Sequence, residues 1–157
     1  MAANVDQARH ALTFGTDEEK VSALRALQGT ISGDEPAWFF DVLREHAGSR
    51  SNDIRWLSVI LMGECIPLHR RTEDVWRWIV DLCGGDDDMK DALATVLLEH
   101  LLEEGFDDAI RRIKLRLADR TAGFVELLHR CWRFGQPDAK WRAFRDVVEA
   151  AQRPKNV

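Results

Sequence analysis

Residues 53–66 read DIRWLSVILMGECI, and this stretch decides the fold class. A helix drawn through it is apolar on almost all sides, so it must be buried on most of its surface. The segments around it repeat their apolar positions at helical spacing, and no four-residue run alternates as a half-buried strand would. The sequence therefore predicts an all-α protein in which this helix packs among several others.

Helix starts are marked by capping residues followed by carboxylates in the first turn. Thr16, Asp34, Ser51, Thr72 and Asp86 mark five of the starts. The chain then reads as about nine helices with short connections, so successive helices are expected to pack as antiparallel hairpins in one domain over residues 1–157. Further starts are expected at Gly105, at a turn around Arg120 and Thr121, and at Pro137, and ends at Gly15, Gly29 to Gly33, Gly48, Pro67, Gly84, Gly105 and Gly135.

The second helices of the predicted hairpins begin at related apolar positions. Val21, Ile54, Met89 and Phe124 are separated by 33, 35 and 35 residues. A period of this length is typical of helical repeats. An irregular helical bundle is the alternative to a repeat array.

One repeat carries a family resemblance. Residues 53–63, Asp-Ile-Arg-x-x-Ser-x-x-Leu-Met-Gly, resemble the second-helix signature of HEAT-type repeats, Asp-Val-Arg-x-x-Ala-x-x-Ala-Leu-Gly. The resemblance implies a HEAT-like α-solenoid, a right-handed stack of about four antiparallel helical hairpins. It also implies that Arg55 lies at the start of an inner helix near Asp53 or near an acid of an adjacent repeat.

Cysteines and hydropathy indicate the environment of the chain. The three cysteines, Cys65, Cys83 and Cys131, are widely spaced within apolar helical patterns, which favours reduced thiols that pack in the core. The longest nearly apolar run, residues 56–63, is shorter than the roughly 20 residues that a membrane-spanning helix needs. A cytoplasmic protein without a membrane segment or a secretory signal is expected.

The net charge of −5 is unevenly distributed. Residues 1–105 hold 10 Lys and Arg against 20 Asp and Glu, and residues 106–157 hold 12 against 7. An acidic body with a basic C-terminal third is compatible with charge-steered binding of a partner. It is equally compatible with ion pairs inside the protein.

No pattern of residues indicates catalysis, a cofactor or a metal. The run Asp86 to Asp88 lacks the alternating ligands and closing glutamate of a calcium loop and is interpreted as a helix cap. His100 with Glu103 and Glu104 has only half of a metal-site pattern. Glycine-rich phosphate loops and paired Cys-x-x-Cys motifs are absent from the sequence. We therefore expect a non-enzymatic protein without cofactors or metals.

Two tryptophans are offset from the apolar stripes of their helices and are candidate partner-binding residues. Trp38 is offset from the apolar stripe of its predicted helix. Trp76 is likewise offset from the apolar stripe of the helix that follows two places later in the chain. The basic loop before Trp76 is poorly suited to burial, which predicts a partly exposed Trp76 flanked by Arg70, Arg71 and Arg77. Tryptophan and arginine are the residues most enriched at interface hot spots.

Three functions are compatible with these observations. The first is an adaptor that binds another protein through the curved surface of its repeats. The second is an inhibitor or immunity-type protein whose acidic surface neutralises a nucleic-acid-processing partner. The third is a nucleic-acid-binding protein, in which binding would weaken with salt and would depend on four basic residues, Arg111, Arg112, Lys114 and Arg116.

Overall fold

A computed structural model describes residues 3–133 and 135–153 and shows an all-α protein, as the sequence predicts. Within these residues there are nine helices and no strand. Helices α6 and α7 join through a π-helical segment into one continuous helix. The bounds are α1 Ala3–Phe14, α2 Asp17–Leu27, α3 Ala37–Ala47, α4 Asn52–Gly63, α5 Thr72–Leu82, α6 Asp87–Ala92, the π segment Leu93–Leu98, α7 Glu99–Glu104, α8 Phe106–Ala118, α9 Phe124–Leu128 and α10 Asp138–Gln152.

The chain divides into two compact units, Met1–Trp78 and Ile79–Val157, with the boundary inside α5. In the first unit α1 packs on α2 and α3 on α4, and the two pairs are joined by contacts of α2 with α4 and of α1 with α3. Leu24, Phe39, Leu43 and Leu61 are fully buried in its core. Helix α4 buries most of its residues, as its apolar sequence requires.

The second unit is built around the continuous helix of residues 87–104. Helix α8 packs on α7, the short α9 packs on α6, on the π segment and on α8, and α10 packs on α8 and α9. Leu93, Leu97, Ile113 and Phe124 are fully buried in the core of this unit. Gly123 is the N-cap residue of α9 and has φ +76°. A Cβ at this position would overlap the carbonyl oxygen of Cys83. Glycine is therefore required at this approach of the two segments.

Local capping signals placed several helix starts correctly. Thr16 caps α2 through a capping box with Glu19, and Asp86 caps α6 by accepting from the Met89 amide at 2.9 Å. Ser51 occupies the N-cap position of α4 but makes no side-chain cap hydrogen bond. These starts depend on neighbours within four residues, so the sequence alone is enough to predict them.

Three boundaries were predicted incorrectly. Helix α4 ends at Gly63 rather than at Pro67, because residues 64–69 form turns. Helix α3 begins at Ala37 rather than at Asp34, because the chain before it forms a loop around the carboxylate of Glu35, which accepts from the Ser32 and Gly33 amides at 2.7 and 2.8 Å. Helix α9 ends at Leu128 instead of continuing towards Gly135. The physical reason for this early end is that the residues after Leu128 make contacts with α6 and α7, from Arg130 to Asp87 and from Trp132 to Glu99.

The cysteine prediction is confirmed, since Cys65, Cys83 and Cys131 are free and buried. Burial raises the pKa of the Cys65 thiol to about 12 and also raises the pKa values of the other two thiols.

Arg55 is also buried, at 8% exposed, and its Nη2 donates to the carbonyl of Ser49 at 3.0 Å. Among the described helices, none is both long and apolar enough to cross a membrane.

Candidate functional site

The predicted exposure of Trp76 is wrong, because its side chain is only 5% exposed. Val75, Trp78 and Ile79 on the same helix are buried too, so α5 buries a wide face rather than one stripe. The predicted exposure depends on a basic loop before α5 that keeps this face open. In the structure that loop satisfies its charges internally, so it places no constraint on the burial of Trp76.

Arg71 explains how a basic loop is accommodated. Its guanidinium donates to the carbonyls of Gly33 and Glu35 at 3.0 and 3.1 Å, pairs with Asp74 at 3.4 Å and lies 4.2 Å from the centre of the Phe40 ring. Five donors in a fixed planar fork suit this kind of multiple contact. Arg71 therefore joins the loop before α3 to the start of α5.

Trp38, Arg70 and Arg77 also contact residues of their own unit. Trp38 is half-buried, with the Arg9 guanidinium 4.9 Å from its ring centre. Arg70 pairs with Asp34 at 3.2 Å. Arg77 pairs at 3.0 Å with Asp74, the carboxylate that Arg71 also contacts. These arginines make ion pairs near the start of α5, with no exposed tryptophan between them.

Of the four basic residues of α8, Arg111, Lys114 and Arg116 are exposed and Arg112 is half-buried. Carboxylates of the same segment pair with the three arginines. Asp108 pairs with Arg111 and, at 2.7 Å, with Arg112, and Asp119 pairs with Arg116 at 3.4 Å. Burial raises the pKa of Asp108, but the hydrogen bonds and charges of Arg111 and Arg112 together outweigh it, so the pKa is lowered and Asp108 stays ionised at neutral pH. The positive charge of these residues is therefore partly offset along the helix.

An exposed tryptophan occurs elsewhere, at a position that sequence reasoning missed. Trp132 is 70% exposed and lies in the segment between α9 and α10. We call residues 129–137, without residue 134, the Trp132 loop. A continued α9 would have placed Trp132 on a helix, and no local pattern marks it as exposed. The signal that could have found it is the cluster of Gly135 and Pro137 shortly after it, which ends helices.

The Trp132 loop is fixed on its N-terminal side by Arg130. This guanidinium makes two ion pairs with α6, Nη2 to Asp87 and Nη1 to Asp91, each at 2.6 Å. Asp87 and Asp91 are one helical turn apart, so both carboxylates face the same guanidinium. The following residue, Cys131, is buried. Together these contacts hold the chain against α6 directly after α9 ends.

The backbone of Trp132 itself is held by a buried carboxylate. Its amide donates to Oε1 of Glu99 on α7 at 2.5 Å, and Glu99 is only 4% exposed. Burial raises the pKa of Glu99 more strongly than this hydrogen bond lowers it. On the C-terminal side, Arg133 pairs with Asp138 and donates to the carbonyl of Gln136 at 3.2 Å. The indole is thus exposed while the backbone that carries it is fixed.

A cleft lies beside this loop, between the end of α9 and α10. Its volume is about 360 Å³, and its lining includes Cys131, Trp141, Phe144 and Val148. His129 and Gln152 meet at one side of the cleft with their Nε2 atoms 2.5 Å apart. No group of three or more His, Cys, Asp or Glu side chains suited to a metal ion occurs among the residues described. Arg145 and Glu149 also line the cleft, so the chemistry available here is apolar contact, hydrogen bonding and ion pairing.

Comparison with protein-family models, with curated proteins and with solved structures gives no significant match for this chain.

Proposed function

We propose that this chain is a non-enzymatic protein-interaction module that binds another protein through Trp132. The observation that carries the proposal is a 70% exposed indole on a loop whose backbone is fixed by Arg130, Glu99 and Arg133. Tryptophan is the residue type most enriched at binding hot spots, where it fills a pocket on the partner. Trp132 takes the place that the sequence prediction gave to Trp76.

The fixed backbone favours binding because it lowers the entropic cost of association. A flexible loop loses conformational freedom when its side chains become ordered at an interface, at about 0.5–1.5 kcal/mol for each side chain. The contacts at residues 130, 132 and 133 are already made in the free protein. Arg133, 55% exposed, adds a second hot-spot residue type beside the indole.

The proposal is tested by photo-crosslinking in the native host. A photoreactive tryptophan analogue that keeps the indole replaces Trp132, and in a control it replaces Leu115, a 56% exposed side chain on α8. We expect a protein adduct from position 132 that position 115 does not give, and mass spectrometry identifies the partner. Equal adducts from the two positions, or none from position 132, would contradict the proposal.

Titration of the identified partner then measures the contribution of the indole. Loss of a central hot-spot residue costs about 2 kcal/mol or more, roughly thirtyfold in affinity. We expect Trp132→Ala to weaken binding by that factor with an unchanged melting temperature, and Leu115→Ala to bind like the parent. If the partner is an enzyme acting on nucleic acid and loses activity in the complex, the module is the inhibitor that the acidic balance suggested.

A further inference from the structure

Helix α10 has an outer face that the rest of its unit leaves uncovered. Of its fifteen residues only Phe144 and Val148 are buried. Six charged residues lie on the outer and flanking sides of the helix at intervals of 4, 3, 1, 3 and 4 residues, the last of them directly after the helix end. They are Asp138, Arg142, Arg145, Asp146, Glu149 and Arg153, and all six are exposed. Two of them, Arg145 and Glu149, also line the cleft beside Phe144 and Val148.

The charges of this face follow an order that is complementary to itself. From the N-terminal end the signs are minus, plus, plus, minus, minus, plus, and the spacing is symmetric about the bond between residues 145 and 146. Reversal of the order changes the sign at every position. A second α10 laid antiparallel with its midpoint at the same bond therefore brings Arg142 opposite Glu149, Arg145 opposite Asp146, and Asp138 opposite Arg153.

Pairing within the single helix explains part of the pattern but not its symmetry. Arg145 and Glu149 pair at 3.1 Å one turn apart, and Asp138 contacts Arg133 of the preceding loop. Pairs spaced by four residues stabilise one helix in any order along it. They leave the inversion of signs about a central bond without a role, whereas in an antiparallel pair of identical helices that inversion sets opposite charges against each other at every position.

Small side chains give the same face room for a second helix. Ala139, Ala143 and Ala150 are exposed and occupy one edge of it. Interaxial distances between packed helices depend on the side chains at the contact, and small side chains such as alanine allow a close approach. An antiparallel arrangement also sets the positive end of each helix dipole beside the negative end of the other.

We infer that α10 is a homodimerisation surface, which binds α10 of a second copy of this chain antiparallel about the bond between residues 145 and 146. The inference does not depend on the function proposed for Trp132. A helix of fifteen residues is about 22 Å long, so the contact is small, in the range of weak and reversible interfaces. We expect a dimer that forms with rising protein concentration and dissociates as salt screens its charge pairs.

Analytical ultracentrifugation of the full chain tests this from about 5 μM to 1 mM, at low and at high salt. We expect dimer at low salt and at least about tenfold weaker association in 0.5 M NaCl. Arg142→Glu sets two like-charged pairs across the interface, and so does Glu149→Arg, so each variant should dimerise at least about tenfold more weakly. Lys140→Glu is the matched control, because it makes the same charge change on α10 as Arg142→Glu. Lys140 is not one of the six charged residues of the proposed interface, and its Nζ lies 5.4 Å from the centre of the Phe106 ring of α8. It should dimerise like the parent.

Mixing the two weakened variants gives the decisive result. In a heterodimer of Arg142→Glu with Glu149→Arg, each introduced charge meets an opposite charge, so association should recover to the level of the parent. Circular dichroism of each variant checks that α10 still forms. The inference is overturned by a monomer at 1 mM and low salt, by a dimer indifferent to these substitutions, or by variants that stay apart when mixed.

Discussion

At the scale of single residues, the exposure of a tryptophan in this protein is decided by charged groups around it. Trp76 is buried although a basic loop precedes its helix, because Arg71 makes its contacts inside the unit. Trp132 is exposed because Arg130 and Glu99 hold its backbone against α6 and α7. The arginines and the glutamate are therefore as informative about the site as the indoles themselves.

Glu99 provides a test of how the Trp132 loop is held. Its pKa is raised in the folded protein, so the folded state binds more protons than the unfolded state once the pH exceeds the ordinary value of 4.5. Its contribution to stability is fully present below that value and is lost as the pH rises through the raised pKa. Glu99→Gln keeps an acceptor for the Trp132 amide without the buried charge. We expect Glu99→Gln to be more stable than the parent at pH 7 by urea unfolding, with the difference vanishing below about pH 4.

A matched variant separates the charge of Glu99 from its hydrogen bond. Glu99→Ala removes the acceptor and should loosen the Trp132 loop, which hydrogen exchange at the Trp132 amide measures. We expect faster exchange in Glu99→Ala and parent-like exchange in Glu99→Gln. Equal exchange in all three proteins would show that Arg130 and Arg133 alone hold the loop.

At the scale of elements, helix starts follow short-range rules and helix ends do not always do so. The capping box at Thr16 and the cap at Asp86 form among neighbours within four residues. The end of α9 at Leu128 instead depends on contacts with residues 33 to 43 positions away in the chain, from Trp132 to Glu99 and from Arg130 to Asp87. The HEAT-like interpretation of these elements stays a prediction.

Two N-cap residues allow a controlled test of capping. Thr16 accepts from the Glu19 amide at 3.3 Å, whereas the Ser51 side chain makes no cap hydrogen bond. Thr16→Ala should reduce the free energy of unfolding by about 1 kcal/mol. Ser51→Ala should change it by much less. Denaturant titrations of the two variants measure the difference, and equal losses would contradict this account of the caps.

The face of α8 gives a test of the nucleic-acid hypothesis. Electrophoretic mobility shifts of DNA and RNA at low salt compare the parent with a variant in which Arg111, Arg112, Lys114 and Arg116 are all glutamine. The pairs with Asp108 and Asp119 offset part of this positive charge, so we expect at most weak retardation by the parent. Any retardation should disappear in the variant and in high salt. Retardation that persists in the variant would place nucleic-acid binding elsewhere.

At the scale of the whole molecule, the uneven charge of the chain is partly neutralised inside the second unit. Arg130 pairs with Asp87 and Asp91, and Lys90 pairs with Glu126 at 2.5 Å. The acidic stretch before residue 105 and the basic stretch after it thus contact each other through specific residues. These ion pairs support the interpretation that the acidic and basic stretches of the chain serve in part to pair with each other inside the protein.

The buried cysteines provide probes of opening in both units. Cys65 lies in the first unit, and Cys83 and Cys131 lie in the second. Since the thiolate is the reactive form and burial raises the pKa of Cys65 to about 12, we expect a disulfide reagent at pH 8 to label the native protein only through opening. Three thiols should react at once in 6 M guanidinium. Leu115→Cys, at a 56% exposed position, should add one rapidly labelled thiol in the native state; rapid labelling of the parent would contradict the burial.

The sequence by itself determined the helical class, the burial of α4 and the cysteines, and the starts of helices with local caps, because periodicity and capping act over a few residues. Only the tertiary structure decided that Trp76 is buried, that α9 stops at Leu128 and that Trp132 is exposed. Each of these depends on where a side chain distant in sequence completes its hydrogen bonds or ion pairs. Spacing along the chain does not specify such partners, so the candidate site became visible only when the helices were packed together.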